Sequence, residues 1–174
     1  MMRVLIALSV VVCTFFSAPR AEAQRELYKE TSEGWFIYRE DKSCVAYADF
    51  ASGTMLRFSN RADEHRMYFS AYNASWEHLR PLDGRSVTLS LNFVGLKRAY
   101  GTAAGIITNP DGRMGFSGAD LSDSAILLAL AGDPNMTLEV RYEGSKKAVT
   151  VENFRLGGGR QAALHLTECT DNFF

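Results

Sequence analysis

Two stretches of the chain alternate cleanly between apolar and polar residues. In Ser86–Phe93, Val87, Leu89, Leu91 and Phe93 fall on one side, and Ser86, Thr88, Ser90 and Asn92 on the other. In residues 136–142, Met136, Leu138, Val140 and Tyr142 alternate with Thr137, Glu139 and Arg141. A period of two sends the two sets to opposite faces of a strand, so each stretch predicts a β-strand with one face on a core. Shorter runs surround them. Residues 35–38, 44–50, 54–58 and 65–72 are aromatic-rich and separated by turn residues, and Met67, Phe69 and Ala71 share a face. That spacing is the mark of an antiparallel meander. Arg98–Thr108 is rich in Ala and Gly, which lets another backbone approach closely. Asn109-Pro110-Asp111-Gly112 closes a hairpin onto residues 113–117. The last strand, residues 148–156, changes phase between Val151 and Phe154, which predicts a bulge near Asn153.

Two helices interrupt the strands. Over residues 120–131, Asp120 stands as a cap and Asp123 in the first turn, ahead of a body apolar all the way round from Ala125 to Ala131. That body is a buried helix, too short to span a membrane. The second helix, residues 160–171, follows Gly157-Gly158-Gly159. At about 100° per residue, Ala162, Leu166, Cys169 and Phe173 share one face, and Gln161, His165, Glu168 and Asn172 another. Leu164 falls roughly opposite the apolar stripe, and the pattern gives no reason for it. Residues 73–79 break the strand pattern and predict one short helical turn that holds Trp76. Strand, Gly-containing turn and helix occur both over residues 113–130 and over residues 147–166, a hint that the two helices occupy related places on one sheet. The elements together predict a mainly β (α+β) fold. It is a single antiparallel β-sandwich or strongly bent sheet of roughly eight to ten strands with two helices packed on it. A closed small barrel is the alternative built from the same elements.

The N-terminus changes the picture. Arg3 precedes an apolar run from Val4 to Phe16, broken only by Ser9 and Thr14, and Ala21-Glu22-Ala23 is an A-x-A site. This predicts a Sec-type signal peptide over residues 1–23, cleaved after Ala23, and a periplasmic or secreted chain. The run is shorter than the roughly 20 residues of a membrane span, and no later segment is long and apolar enough to be one. Residues 24–33 are polar and read as a loose arm, with residues 34–174 a single β-rich domain. The chain has 19 Lys and Arg against 20 Asp and Glu, a net −1. A balance so near neutral lacks the basic stripe of a nucleic-acid binder. Without residues 1–23, Cys44 and Cys169 are the cysteines left. In an exported chain they predict one structural disulfide.

Candidate chemistry is sparse. His65 follows Asp63-Glu64, His78 sits beside Trp76, and His165 lies on the polar side of the last helix; none has metal-pair spacing. Gly115-Phe116-Ser117-Gly118 lacks the spacing of a nucleophile elbow and reads as a turn. Gly157-Gly158-Gly159 reads as a tight strand-to-helix turn rather than an anion nest. Asn73 and Asn135 begin glycosylation sequons. No catalytic, cofactor-binding or metal residues are assigned. The candidate binding patch is Tyr68, Tyr72, Trp76 and His78, since Tyr and Trp suit surfaces with one wet end. Core packing is the other reading of the same cluster.

Gly34-Trp35, the first cysteine Cys44, and the ending Phe154-x-Leu156-x-Gly158-Gly159-x-x-Ala162-x-x-x-Leu166-x-x-Cys169 together resemble the invasion-associated locus B family of small exported Gram-negative proteins. The ending is also similar to periplasmic accessory proteins of type VI secretion. The middle of the chain aligns with neither, and the additional cysteines of the locus B family are missing. The resemblance implies a periplasmic β-rich module and carries over no catalytic residue. The functional expectation is a non-catalytic exported module that binds another protein or an envelope component. The alternative is a small periplasmic hydrolase whose polar groups converge only in the fold, around His65 or His165.

Overall fold

The computed structural model describes residues 25–40, 42–61, 64 and 66–172. The expected signal peptide, His65 and Phe173 lie outside the described residues. The strands are β1 (Arg25–Glu30), β2 (Trp35–Glu40), β3 (Ser43–Asp49), β4 (Thr54–Arg61), β5 (Arg66–Asn73), β6 (Ser86–Phe93), β7 (Arg98–Thr108), β8 (Met114–Ser122), β9 (Asn135–Tyr142) and β10 (Val149–Arg155). All pair antiparallel in one sheet of order β1-β2-β3-β4-β5-β8-β7-β6-β9-β10. Short turns make β1 to β5 a meander. A 3₁₀ segment, Ala74–Leu82, then carries the chain across, so β8 rather than β6 lies beside β5.

The sheet is strongly bent and stays open. In a flat sheet, the six strand spacings from β4 to β10 would span roughly 29 Å. Instead the Ser52 and Thr54 hydroxyls donate to the Glu152 carboxylate on β10. Phe50 and Phe154 meet edge to face at 5.0 Å. The Trp35 indole N–H on β2 donates to the Gly157 carbonyl just past β10, at 2.7 Å. The curl brings Trp35, Ile37, Leu56, Phe58, Phe69, Leu89, Leu91, Phe116 and Leu138 onto one buried concave face. Val87, Leu89, Leu91 and Phe93 face that core together, as their alternation requires.

Two helices fill the concave side. α1 (Asp123–Gly132) follows β8, and α2 (Gly159–Asp171) packs on β2 and β3 as well as on α1. Ala162, Leu166 and Cys169 are fully buried, and Leu164 on the far side is 60% exposed. Cys169 is disulfide-bonded to Cys44 of β3. Gly158 takes a left-handed φ of +72° to turn the strand into α2. Gly159 packs so close to α1 that a Cβ there would lie 2.8 Å from the Leu130 carbonyl oxygen.

Four expectations need correction. Residues 24–33, expected as a loose arm, contain β1, an edge strand. It is held by backbone pairing to β2 and by Lys29, whose ammonium lies 2.6 Å from Glu168 of α2. The first helix begins at Asp123, not Asp120, because the chain through Ser122 is still paired with β5. The bulge in β10 falls between Thr150 and Glu152, ahead of Asn153, and turns Glu152 toward the Ser52 and Thr54 hydroxyls. The short helical turn is longer than foreseen, and Asn73 caps it by accepting from the Ser75 N–H at 2.7 Å.

Two predictions follow from the seal around α2. The disulfide spans a sequence separation of 125. Replacing both cysteines by serine should lower stability by about 5 kcal/mol, read as a shifted urea midpoint. Intact mass of untreated protein should show no alkylation until a reductant is added. Gly159→Ala gains up to about 1 kcal/mol of helix propensity. Forcing α1 from α2 costs about 1–3 kcal/mol, so the net change should be destabilising, whereas Leu164→Ala should stay within about 0.5 kcal/mol of wild type.

Candidate functional site

Among the described residues, no helix lies on the convex face of the sheet: α1, α2 and the 3₁₀ segment contribute their buried side chains to the concave core. Alternation decides what the convex face shows. With Trp35, Ile37 and Arg39 pointing in, β2 presents Phe36, Tyr38 and Glu40 outward. The β2–β3 register sets Phe36 opposite Tyr47 and Tyr38 opposite Val45. The β3–β4 register continues the rows to Arg57 and Ser59, and β5 adds Ser70 and Tyr68.

Phe36, Tyr38 and Tyr47 form a half-buried aromatic triangle. Ring centroids are 6.4 Å apart for Phe36 and Tyr38, 5.9 Å for Phe36 and Tyr47, and 6.4 Å for Tyr38 and Tyr47. The Arg25 guanidinium sits 3.8 Å from the Tyr38 centroid and 5.4 Å from that of Tyr47, a cation–π arrangement. Glu40 fixes the cations around the rings, at 3.3 Å from Arg25 and 2.5 Å from Arg57. The Tyr47 hydroxyl donates to Asp49. Partial burial, then the hydrogen bond to Asp49 and that carboxylate's charge, push the Tyr47 phenol up to about 12, with Arg25 opposing.

The four residues expected as one patch do not form one. Tyr68 lies on the convex face, half-buried, and donates to Glu64 at 2.5 Å. Tyr72 shares that face but lies across Gly115, where a Cβ would come within 2.5 Å of its ring, and it is buried. Trp76 turns the other way, into the concave core 5.5 Å from Phe116. His78 is exposed on the 3₁₀ segment. The chain crosses from one side of the sheet to the other at Asn73, so spacing along the sequence does not survive as nearness on a surface.

The other motifs are occupied by the fold. Gly115-Phe116-Ser117-Gly118 is part of β8, not a turn. Its glycines allow close contact with β5 and β7, and Ser70 donates to Ser117 at 3.1 Å. His165 lies 3.4 Å from Glu168, whose carboxyl is held low first by the Lys29 hydrogen bond. Asn73 is buried and donates to Thr54 Oγ1 at 2.7 Å, so that sequon is closed to modification. Among the described residues, no group of three or more His, Cys, Asp and Glu side chains gathers as a metal site would need.

No family model matches the chain, and no curated protein or solved structure matches it.

The aromatic face predicts a titration. Tyr47 stays neutral in the folded chain above its ordinary value near 10, while the unfolded chain ionises. Its contribution to stability is therefore full below pH 10 and lost between about pH 10 and 12. An ultraviolet difference titration should show Tyr47 among the late phenols, with Tyr68 and Tyr142 also raised, and Asp49→Asn should move the Tyr47 step down.

Proposed function

We propose that the chain is a non-catalytic exported module, periplasmic or secreted, that binds another protein or an envelope component. The observation that carries this reading is the convex face at Phe36, Tyr38 and Tyr47. Three aromatic rings stand half-exposed there, with two guanidinium groups held beside them by Glu40. Tyr, Trp and Arg are the residues that most often anchor a binding interface, because they offer large contact area and a polar tip. The rings sit on paired strands rather than on a loop, so little entropy remains to be lost on binding. The signal-peptide pattern, the disulfide, and the resemblance of the ending to the locus B family support export of such a module. The site residues of the module are Phe36, Tyr38, Tyr47, Arg25 and Arg57, with Tyr68 at the margin.

The test is crosslinking of the tagged mature protein in its own envelope, with mass spectrometry of the products. Phe36→Ala with Tyr38→Ala should remove the recovered partner, since losing one anchoring aromatic costs about 2 kcal/mol, roughly thirtyfold in affinity. An unchanged far-UV spectrum would show that the variant still folds. Identical crosslinks from variant and wild type would overturn the site. No reproducible partner, together with turnover of an envelope substrate by purified protein, would overturn the binding reading itself.

A further inference from the structure

Among the described residues the sheet has two unpaired edges, β1 and β10, and they are not alike. β1 carries Arg25, Glu26, Lys29 and Glu30, charges of the kind that discourage another strand from pairing. The first half of β10 is Val149-Thr150-Val151, with no charge, and Val149 is 53% exposed. The second half is pinned, through Glu152 to Ser52 and Thr54 and through Phe154 to Phe50. The seam in the curled sheet is thus fastened at one end and open at the other. Among the described residues, no strand pairs with the outer edge of β10.

Behind the open end lies a half-open cavity of about 160 Å³, lined mainly by Trp76, Leu79, Phe116, Val140, Val149 and Val151. An apolar cavity of roughly 150 Å³ accepts a benzene-sized group. Trp76, His78 and Leu79 of the 3₁₀ segment and Val149, Thr150 and Val151 of β10 both line it, so the cavity adjoins the free strand edge. The turn leading into β10 adds the exposed cations Lys146 and Lys147 against the single Glu143.

We propose that the Val149–Val151 edge with this cavity is a strand-addition site for an extended segment of a partner protein. The incoming strand pairs with β10 and seats one aliphatic or aromatic side chain between Trp76 and Val151. Strand addition of this kind draws affinity from main-chain hydrogen bonds and specificity from the pocket that alternate side chains reach. An acidic residue at one end of the segment meets Lys146 and Lys147. The site is on the opposite side of the sheet from Phe36, Tyr38 and Tyr47.

The probe is a blocked octapeptide that alternates threonine with valine, with one central leucine and a terminal glutamate pair. It is titrated into isotopically labelled mature protein and followed by amide shifts and hydrogen exchange. Slowed exchange at Val149–Val151 and shifts at the Trp76 indole are expected. Val149→Lys, at an exposed position, should weaken binding about tenfold or more. An N-methylated peptide, unable to pair, should fail to bind, and Tyr38→Ala should bind normally. Equal binding of the N-methylated peptide would reduce the site to a small apolar pocket and overturn strand addition. Unchanged exchange at Val149–Val151 at millimolar peptide would overturn it too. A dimer of the free protein that Val149→Lys dissolves would make the occupant a second copy, and the partner-strand proposal would fall.

Discussion

A ten-stranded sheet with one apolar face must cover that face, and this chain does so by curling around its own last helix. The contacts that hold the curl run between residues far apart in sequence. Trp35 donates to the Gly157 carbonyl, Cys44 is bonded to Cys169, and Lys29 reaches Glu168. Each ties an early strand to α2 or to the turn before it. Because α2 touches β2, β3 and α1 together, its packing sets how tightly the sheet bends. The spacing at Gly159 against Leu130 leaves no room for a side chain. The convex face inherits its shape from the same contacts, since the rings of Phe36 and Tyr38 stand on the strand that Trp35 and Ile37 anchor from below.

How much of this is written in the sequence depends on whether a strand has one wet face. β6 and β9 do, and their alternation gives the right residues to the core. α2 has a clear stripe, and the cysteine in it finds the one on β3. The first strands are harder. β2 reads Trp35-Phe36-Ile37-Tyr38, apolar at every position, because its convex side is also half-buried under aromatic rings. A period-two signal vanishes in such a run, and the most developed surface feature vanishes with it. The signal left was the aromatic residues themselves, at both phases of one strand and again at Tyr47.

β1 failed for the opposite reason. Charges at both phases erase any periodicity, and the strand forms through main-chain pairing and ion pairs to partners that no local pattern can display. The cluster around Trp76 misled because the chain turns through the sheet at Asn73. Residues four apart, Tyr72 and Trp76, end on opposite faces. The disulfide was legible because, with Cys13 assigned to the expected signal peptide, Cys44 and Cys169 were the pair left, not because any spacing required it.

The long reach of the α2 contacts bears on how such a chain is made. Synthesis delivers Trp35 and Cys44 early, and their partners follow 122 and 125 residues later. Until α2 emerges, β2 and β3 lack the helix that packs on their concave face, and Cys44 lacks its bonding partner. A product cut before Gly159 would keep all ten described strands yet leave the core beneath α2 open to proteases and to other chains. Closure of the core therefore depends on α2 and not on the sheet alone, because a sheet with every strand paired still leaves β2 and β3 uncovered without that helix.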